Sequence, residues 1–165
     1  MEFEEAKQKF LQSWGTLGSN WGINKTMAQI HALLLISPEP LSTENIMDEL
    51  QISRGNANMN IRALIDWGLV QRELKAGERK EYFSSEKDIW QVAMKVMRER
   101  RKRELEPVVS LLGQLEEVEG NSKEVQEFQK TIADLNEFTS KADNVLDKMS
   151  RSDKHFFMTV LLKMI

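Results

Sequence analysis

Two capped helices separated by a turn of about three residues are the feature that most constrains how this chain folds. Ser42 is a suitable N-cap for a short helix over residues 43–50, with Leu41 and Ile46 at the two positions of a hydrophobic staple. Ser53 is a second cap, and it begins a longer helix. An apolar helix precedes this pair, so the pattern predicts a helix-turn-helix.

The residues after the second helix predict a hairpin. Trp67 ends the helix, and Gly68 suits the left-handed position that follows it. Residues 69–74 and 80–84 have the composition of paired strands, joined by the glycine-containing turn 75–79. We therefore expect a mainly α fold: a winged helix-turn-helix with a two-stranded wing, flanked by N- and C-terminal dimerisation helices.

Apolar residues at helical spacing precede the winged helix. One stripe consists of Phe3, Phe10, Trp14, Leu17 and Trp21. Gly15 and Gly18 weaken the last turns of that helix. The next helix has the spacing of a core-facing face, formed by Met27, Ile30, His31, Leu34 and Leu35. We expect His31 to be a core histidine that makes one hydrogen bond.

The chain beyond residue 86 is predicted to be mostly helical, with a kink at Pro107 and heptad spacing from Val125 to Met149. The last segment, from Phe156 to Ile165, is a short apolar helix. One small wing cannot cover all these stripes, so the sequence predicts a homodimer. The expected regions are an N-terminal dimerisation helix (1–22), a winged helix-turn-helix DNA-binding domain (23–86), and a helical linker and dimerisation region (87–165).

The charge of the chain is unevenly distributed. Residues 51–103 hold thirteen basic and seven acidic side chains, whereas residues 104–147 hold three basic and eleven acidic ones. A basic middle in a chain of net charge −3 predicts a local site for a polyanion.

Several classes of function are excluded by composition. The chain has no cysteine, which rules out disulfides and thiolate metal sites, and its two histidines lack ligand-spaced partners, so we expect no metal. We find no catalytic constellation, and we expect neither enzymatic activity nor a cofactor. No apolar run reaches the length of a membrane span, and the acidic start does not resemble a signal peptide. We expect a soluble, cytoplasmic protein without a membrane partner.

The helix that begins at Ser53 carries the candidate DNA-binding surface. Ala57, Ile61, Leu64 and Ile65 share one arc that is predicted to face the core, which leaves a polar arc opposite. That arc is rich in asparagine, glycine and arginine, which suit base edges and phosphates. The candidates are Ser53, Arg54, Gly55, Asn56, Asn58, Met59 and Arg62. The alternative is an ordinary polar surface helix.

The predicted wing holds a basic cluster of Arg72, Lys75, Arg79 and Lys80. Arg79 at the tip could enter a minor groove while the other three contact phosphates. The alternative is a solvated hairpin in which Lys75 and Arg79 flank Glu78.

A second basic run covers residues 98–103. It could contact phosphates, or it could line a helix and pair with nearby acidic residues. The helical spacing of Glu99, Glu104 and Glu106 favours pairing.

The aromatic residues allow an effector site. Trp14, Trp21 and Trp90, with Tyr82, could form a cage for a cationic ligand. The alternative is that they belong to the core, as aromatic residues on apolar stripes usually do.

Taken in order, several short segments carry a family resemblance. They are Trp21-Gly22, the run from Leu33 to Ser42, Ser53-Arg54-Gly55-Asn56, Met59-Asn60, Leu64, Trp67-Gly68-Leu69-Val70, Gly77-Glu78-Arg79-Lys80, Arg103-Glu104 and Pro107. With them, roughly residues 14–110 resemble the GbsR-type branch of the MarR superfamily.

The resemblance implies a homodimeric winged-helix transcription factor, usually a repressor, that binds a double-stranded DNA operator. Some members of that branch control choline and glycine-betaine genes and respond to choline, so the resemblance implies a possible small-molecule effector, which is choline-like in some relatives. The alternative from another class is a winged helix that assembles with proteins and does not bind DNA.

Overall fold

The computed structural model describes residues 1–152 and Thr159, and the chain divides into two compact units, Met1–Val92 and Ala93–Ile165. The predicted helix from Phe156 to Ile165 lies outside the described residues. In chain order the elements are α1 (Phe3–Asn20), α2 (Lys25–Ile36), β1 (Leu41–Ser42), α3 (Thr43–Leu50), α4 (Arg54–Asp66), β2 (Val70–Leu74), β3 (Glu81–Ser85), α5 (Ile89–Arg100), a π-helical turn (Arg101–Leu105), α6 (Glu106–Leu115) and α7 (Lys123–Arg151).

Helix α2 is the centre of the first unit. It packs against α1, α3, α4 and β3, and Ile30 and Ala32 are completely buried within it. The predicted core residue Leu35 is half-buried, whereas Ala28 and Leu33 are buried. A helix that is apolar on nearly all sides is expected at the middle of a small core.

Glycines set the close packing of α1 on α2. A Cβ atom added to Gly18 would lie 2.6 Å from the Cβ of Ala28, so this contact leaves no room for a side chain. Gly15 meets the side chain of Gln29 in the same way, at 2.7 Å. The glycines that weaken the helix by propensity are therefore the residues that dock it, and α1 continues to Asn20.

The predicted apolar stripe of α1 does not face its own core. Leu11 and the two glycines are the buried positions of the helix. Phe3 is 72% exposed, Trp21 is 54% exposed and Leu17 is 38% exposed. The rest of the first unit leaves these three residues uncovered, whereas Phe10 and Trp14 of the same stripe are half-buried.

The helix-turn-helix has the predicted caps. The Ser42 hydroxyl accepts from the backbone N–H of Asn45, and the Asn45 side chain accepts from the backbone N–H of Ser42, which makes a capping box. Ser53 caps α4 by accepting from the backbone N–H of Asn56. Gly68 adopts φ 70° at the end of α4, as predicted. The winged helix-turn-helix fold is thus confirmed.

The sheet has three strands rather than the predicted two. β1, only two residues long, pairs with β3 through Leu41 and Phe83, and the antiparallel order is β1-β3-β2. β2 and β3 form the wing, with Leu74 opposite Glu81. The tip turns at Gly77, where φ is 83° and a hydrogen bond from Glu78 N–H to the Lys75 carbonyl closes a type II turn.

Two charged or titratable residues act on α2: Lys87 lies at its C-terminal end, and His31 lies in its middle. The Lys87 ammonium donates to the backbone carbonyls of Leu34, Leu35 and Ser37 at 2.7, 2.9 and 2.7 Å, and so caps the helix. His31 is buried as predicted, but its Nε2 has no hydrogen-bond partner. Desolvation, assisted by the positive charge of Lys87, lowers the pKa of His31 to about 4.

The second unit contains an antiparallel helical hairpin of α6 and α7. Leu112 and Ile132 are buried in its seam, and the Gln129 amide donates to the Val118 carbonyl. Pro107 was predicted to distort the preceding helix, and the distortion takes the form of the π-helical turn. Proline lacks the N–H that an α-helix needs four residues after Arg103, so the regular hydrogen-bond pattern is interrupted there.

A candidate nucleic-acid interface

Helix α4 separates its core face from an open face. Ala57, Ile61 and Leu64 are at most 2% exposed, whereas Met59 is 60% exposed and Arg62 is exposed. Nothing lies within 4 Å of the position of a Cβ added at Gly55, so the first turn is also open. Asn58 is half-buried at the edge of this face. Ile65, predicted to be in the core, is instead 36% exposed, because it lies at the margin of the arc.

The structure corrects the placement of Asn56. Its side chain is half-buried and accepts a hydrogen bond of 2.7 Å from the amide of Asn60, which is itself buried. The Asn56 amide donates to Thr26 Oγ1 at 3.5 Å, a long contact that joins α4 to α2. Asn56 thus holds α4 in place, while the open face belongs to Gly55, Met59 and Arg62.

Ser53 and Arg54 are both engaged at the start of α4. The Ser53 hydroxyl is occupied as the helix cap. The Arg54 guanidinium donates to the Glu44 carboxylate at 2.9 Å, across the turn between α3 and α4. The pKa of Glu44 is held below its usual value, first by a hydrogen bond from its own backbone N–H and then by Arg54, with a smaller effect from the charge of Lys80. Sequence reasoning missed Glu44.

The basic residues of the wing are all exposed. Arg72 pairs with Glu81 across the two strands at 2.9 Å. The Lys75 ammonium lies 4.2 Å from the centre of the Tyr82 ring, whose hydroxyl donates to Glu78. That hydrogen bond raises the pKa of Tyr82. The solvated-hairpin alternative pairs Glu78 with Lys75 and Arg79. In the structure, the Glu78 carboxylate instead accepts a hydrogen bond from the Tyr82 hydroxyl.

An open groove of about 640 Å³ lies between α4 and the wing. Arg62 and Arg72 line it from opposite sides, one from the helix and one from the sheet. The remaining lining residues are Asn58, Ile61, Ile65, Glu81 and Phe83. The fold therefore brings the open face of α4 and the basic wing to one surface, where guanidinium groups can contact phosphates.

The basic run at residues 98–103 pairs with carboxylates. Arg101 donates to Asp143 at 2.7 and 3.0 Å and to Asp147 at 2.9 Å. Arg100 contacts Glu104, and Arg103 contacts Glu99. These contacts support the pairing interpretation of the run.

The tryptophans proposed for an effector cage lie in different settings. Trp14 is half-buried and packs against Phe10 with ring centres 5.4 Å apart. Trp21 is the C-cap of α1, and Trp90 is half-buried in the first turn of α5. An effector site built on them stays a prediction.

Comparison with known proteins agrees with this geometry. Residues 21–81 match the sequence model of the MarR family. The match covers less than half of the chain. The matched segment spans α2 to the start of β3, so it includes all eleven candidate DNA-binding residues between Ser53 and Lys80.

The chain is similar in fold to a solved structure described as "Crystal Structure of a transcriptional regulator". The two share 20% sequence identity with a TM-score of 0.59, over 87% of this chain and 99% of the other. No curated protein matched the sequence. The match to the MarR family model supports a DNA-binding transcription regulator, and the solved structure shows a shared fold. None of the helices in the described residues is long and apolar enough to span a membrane.

Proposed function

We propose that this protein is a homodimeric transcriptional repressor. Each subunit inserts α4 into a major groove of its operator and places its wing on the backbone or in a minor groove. A two-fold dimer then reads two half-sites about 34 Å apart. In this arrangement residues 1–22 and 87–165 serve dimerisation, and residues 23–86 bind DNA.

The observation that carries DNA binding is the open face of α4. A large exposed methionine, an exposed arginine and a bare glycine lie on a well-capped helix whose other face is fixed in the core. The helix has no acidic residue before Asp66. A rigid helix with such a face suits a groove of high negative potential.

Dimerisation is supported by apolar side chains that the second unit leaves exposed. On α7 they follow heptad spacing, with Phe128 and Leu135 41% and 45% exposed, and Phe138 and Val145 71% and 55% exposed. Val108 and Leu111 of α6 are also exposed. A second copy of this hairpin is the occupant that we propose, because packing two hairpins also supplies the paired recognition helices that a palindromic operator needs.

We assign the chain to the GbsR-type branch on the motifs named above and propose a choline-like effector near Trp14, Trp21 and Trp90. Binding of the effector would alter the separation of the two α4 helices and therefore the affinity for the operator. Choline added to the protein–DNA complex should lower the affinity. An unchanged affinity would argue against this effector while leaving DNA binding intact.

DNA binding itself is tested by salt titration with fragments selected from host genomic DNA by the purified protein. The logarithm of affinity should fall linearly with the logarithm of salt concentration, with a slope of about −0.9 for each phosphate contact. Lys9→Ala, which removes an exposed charge from α1, is the control and should leave the slope unchanged. A protein that selects no fragment and shows no salt-dependent binding would favour the protein-assembly alternative.

A further inference from the structure

Glu44 places a negative charge on the surface that is proposed to face DNA. It lies in the first turn of α3, and its carboxylate binds Arg54 in the first turn of α4 at 2.9 Å. The two side chains are 40% and 59% exposed, so the pair is open to solvent. Lys80 of the wing also acts on this carboxylate through its charge. Glu44 thus joins α3 to the start of α4 through Arg54, and the charge of the wing acts on it at longer range.

The Glu44 carboxylate accepts from Arg54 a hydrogen bond that a DNA phosphate could also accept. In helix-turn-helix complexes the first helix crosses the DNA backbone, and the start of the recognition helix enters the groove. Helix N-termini are also among the groups that contact phosphates, so Arg54 in the first turn of α4 can reach the backbone next to the groove. A carboxylate and a phosphate accept the same charge-assisted hydrogen bonds from a guanidinium, so they compete for Arg54.

This competition acts mainly on complexes that are held by charge alone. Every duplex presents phosphates along its whole length. A protein that makes no base contacts can bind in any register in which an unpaired basic side chain contacts a phosphate. On an operator, base contacts fix the register of α4. An Arg54 released from Glu44 can then reach only the phosphates next to that register, so its release adds less affinity. An Arg54 that is paired with Glu44 therefore adds little affinity to a complex that has no base contacts.

We propose that Glu44 is a specificity-determining residue that keeps Arg54 from sequence-independent contact with phosphates. The inference rests on the proposed function, since it requires α4 to bind DNA. Glu44 is a positioning residue in this account: it acts through Arg54 and does not contact a base.

The test measures the affinity of the full-length protein for a duplex of random sequence between 50 and 200 mM salt. Glu44→Gln should steepen the log–log slope by about 0.9, the contribution of one extra phosphate contact. If parent and variant bind equally at 200 mM salt, that slope makes the variant bind about threefold more tightly at 50 mM. On the genomic fragment selected by the parent, the gain should be smaller.

Two further variants separate this role from a general charge effect. Asp48→Asn removes the same charge one turn farther along α3 and should leave the slope unchanged. Glu44→Gln combined with Arg54→Gln should also show no steepening. Because the Glu44–Arg54 pair is partly exposed, its loss should lower the midpoint of thermal unfolding only slightly, and all variants should be folded under the binding conditions.

The inference is overturned if Glu44→Gln behaves like Asp48→Asn, or if the steeper slope persists without Arg54. It is also overturned if the selected fragment gains as much affinity as the random duplex. A parent protein that binds neither DNA at 50 mM salt overturns the proposed function itself, which distinguishes that failure from the others.

Discussion

The two units of the chain use apolar residues differently. In the first unit, α2 is surrounded by other elements, and large side chains such as Ile30, Ile46 and Leu64 are at most 1% exposed. In the described part of the second unit, Leu112 and Ile132 are buried between α6 and α7, while Phe138 remains 71% exposed. The first unit has a closed core and leaves part of the apolar stripe of α1 exposed, whereas the described part of the second unit has one buried seam and an open apolar face along α7. A closed core suits a rigid DNA-binding unit, and an exposed apolar face suits association with another chain.

The largest effect is expected from Phe138→Asp. The side chain is mostly exposed in the single chain, so its loss should barely affect the folding of α7, but a charge there should prevent two hairpins from packing. A dimer that separates loses the avidity of two linked half-sites, about 10²–10⁴-fold in operator affinity. Sedimentation and operator titration measure the two consequences.

Lys130→Gln is the matched control, because it makes the same change in net charge at an exposed position of α7. It should stay dimeric and bind normally. If Phe138→Asp also stays dimeric, then residues 153–165 or another segment cover this face, and the assignment of the hairpin to dimerisation is wrong.

The next effect is expected at the open face of α4. Arg62→Ala should cost about 1–3 kcal/mol of discrimination at one base pair, without loss of stability. Asn56→Ala should instead lower the free energy of unfolding by about 1 kcal/mol, since it removes a hydrogen bond to buried Asn60. Operator titration and urea unfolding of both variants distinguish a residue that contacts bases from one that stabilises the fold. Equal effects of the two variants in both assays would contradict the division.

A pH dependence is expected from His31. Its folded pKa of about 4 lies below the ordinary value of 6.5, so the unfolded chain binds more protons in this range and stability falls as pH drops below 6.5. At pH 5 the loss relative to neutral pH is about 2 kcal/mol from this group. In His31→Leu that contribution disappears, and its unfolding should depend less steeply on pH.

Tryptophan fluorescence can assign that loss to the first unit, because Trp14, Trp21, Trp67 and Trp90 all lie within residues 1–92. The acid-induced shift of the unfolding midpoint should appear in fluorescence and diminish in His31→Leu. A parent midpoint that does not change between pH 7 and pH 5 would contradict the burial of a neutral His31.

The smallest effect is expected at the tip of the wing. Arg79→Ala should reduce the salt slope by about 1 if Arg79 contacts a phosphate, with similar losses on all sequences. If the side chain enters a minor groove, the loss should be greater on A·T-rich than on G·C-rich flanks. Titration on the two kinds of flank decides between these contacts. An unchanged affinity on both would instead support the alternative that the wing is a solvated hairpin without DNA contacts.

Local signals explain what the sequence predicted well. The caps at Ser42 and Ser53 and the turn at Gly68 are set by hydrogen bonds and backbone angles within a few residues, so their pattern is visible in the chain. The two wing strands begin and end within one residue of the prediction, at Val70–Leu74 and Glu81–Ser85.

Tertiary partners explain what the sequence missed. β1 is a strand only because Leu41 pairs with Phe83, and two residues carry no period of their own. Asn56 turns inward because its amide donates to Thr26 and its side-chain oxygen accepts from Asn60. Helical spacing alone does not predict these partners. The pairing of Arg54 with Glu44 depends in the same way on how two helices meet.

The mass of the complex with a selected operator fragment tests the division of labour between the units most directly. Light scattering or sedimentation of the full-length protein on a duplex that holds both half-sites gives the number of chains bound. The account predicts two chains for each duplex and, with Phe138→Asp, a much weaker complex. A stable complex with one chain on the intact site, unaffected by Phe138→Asp, would contradict it.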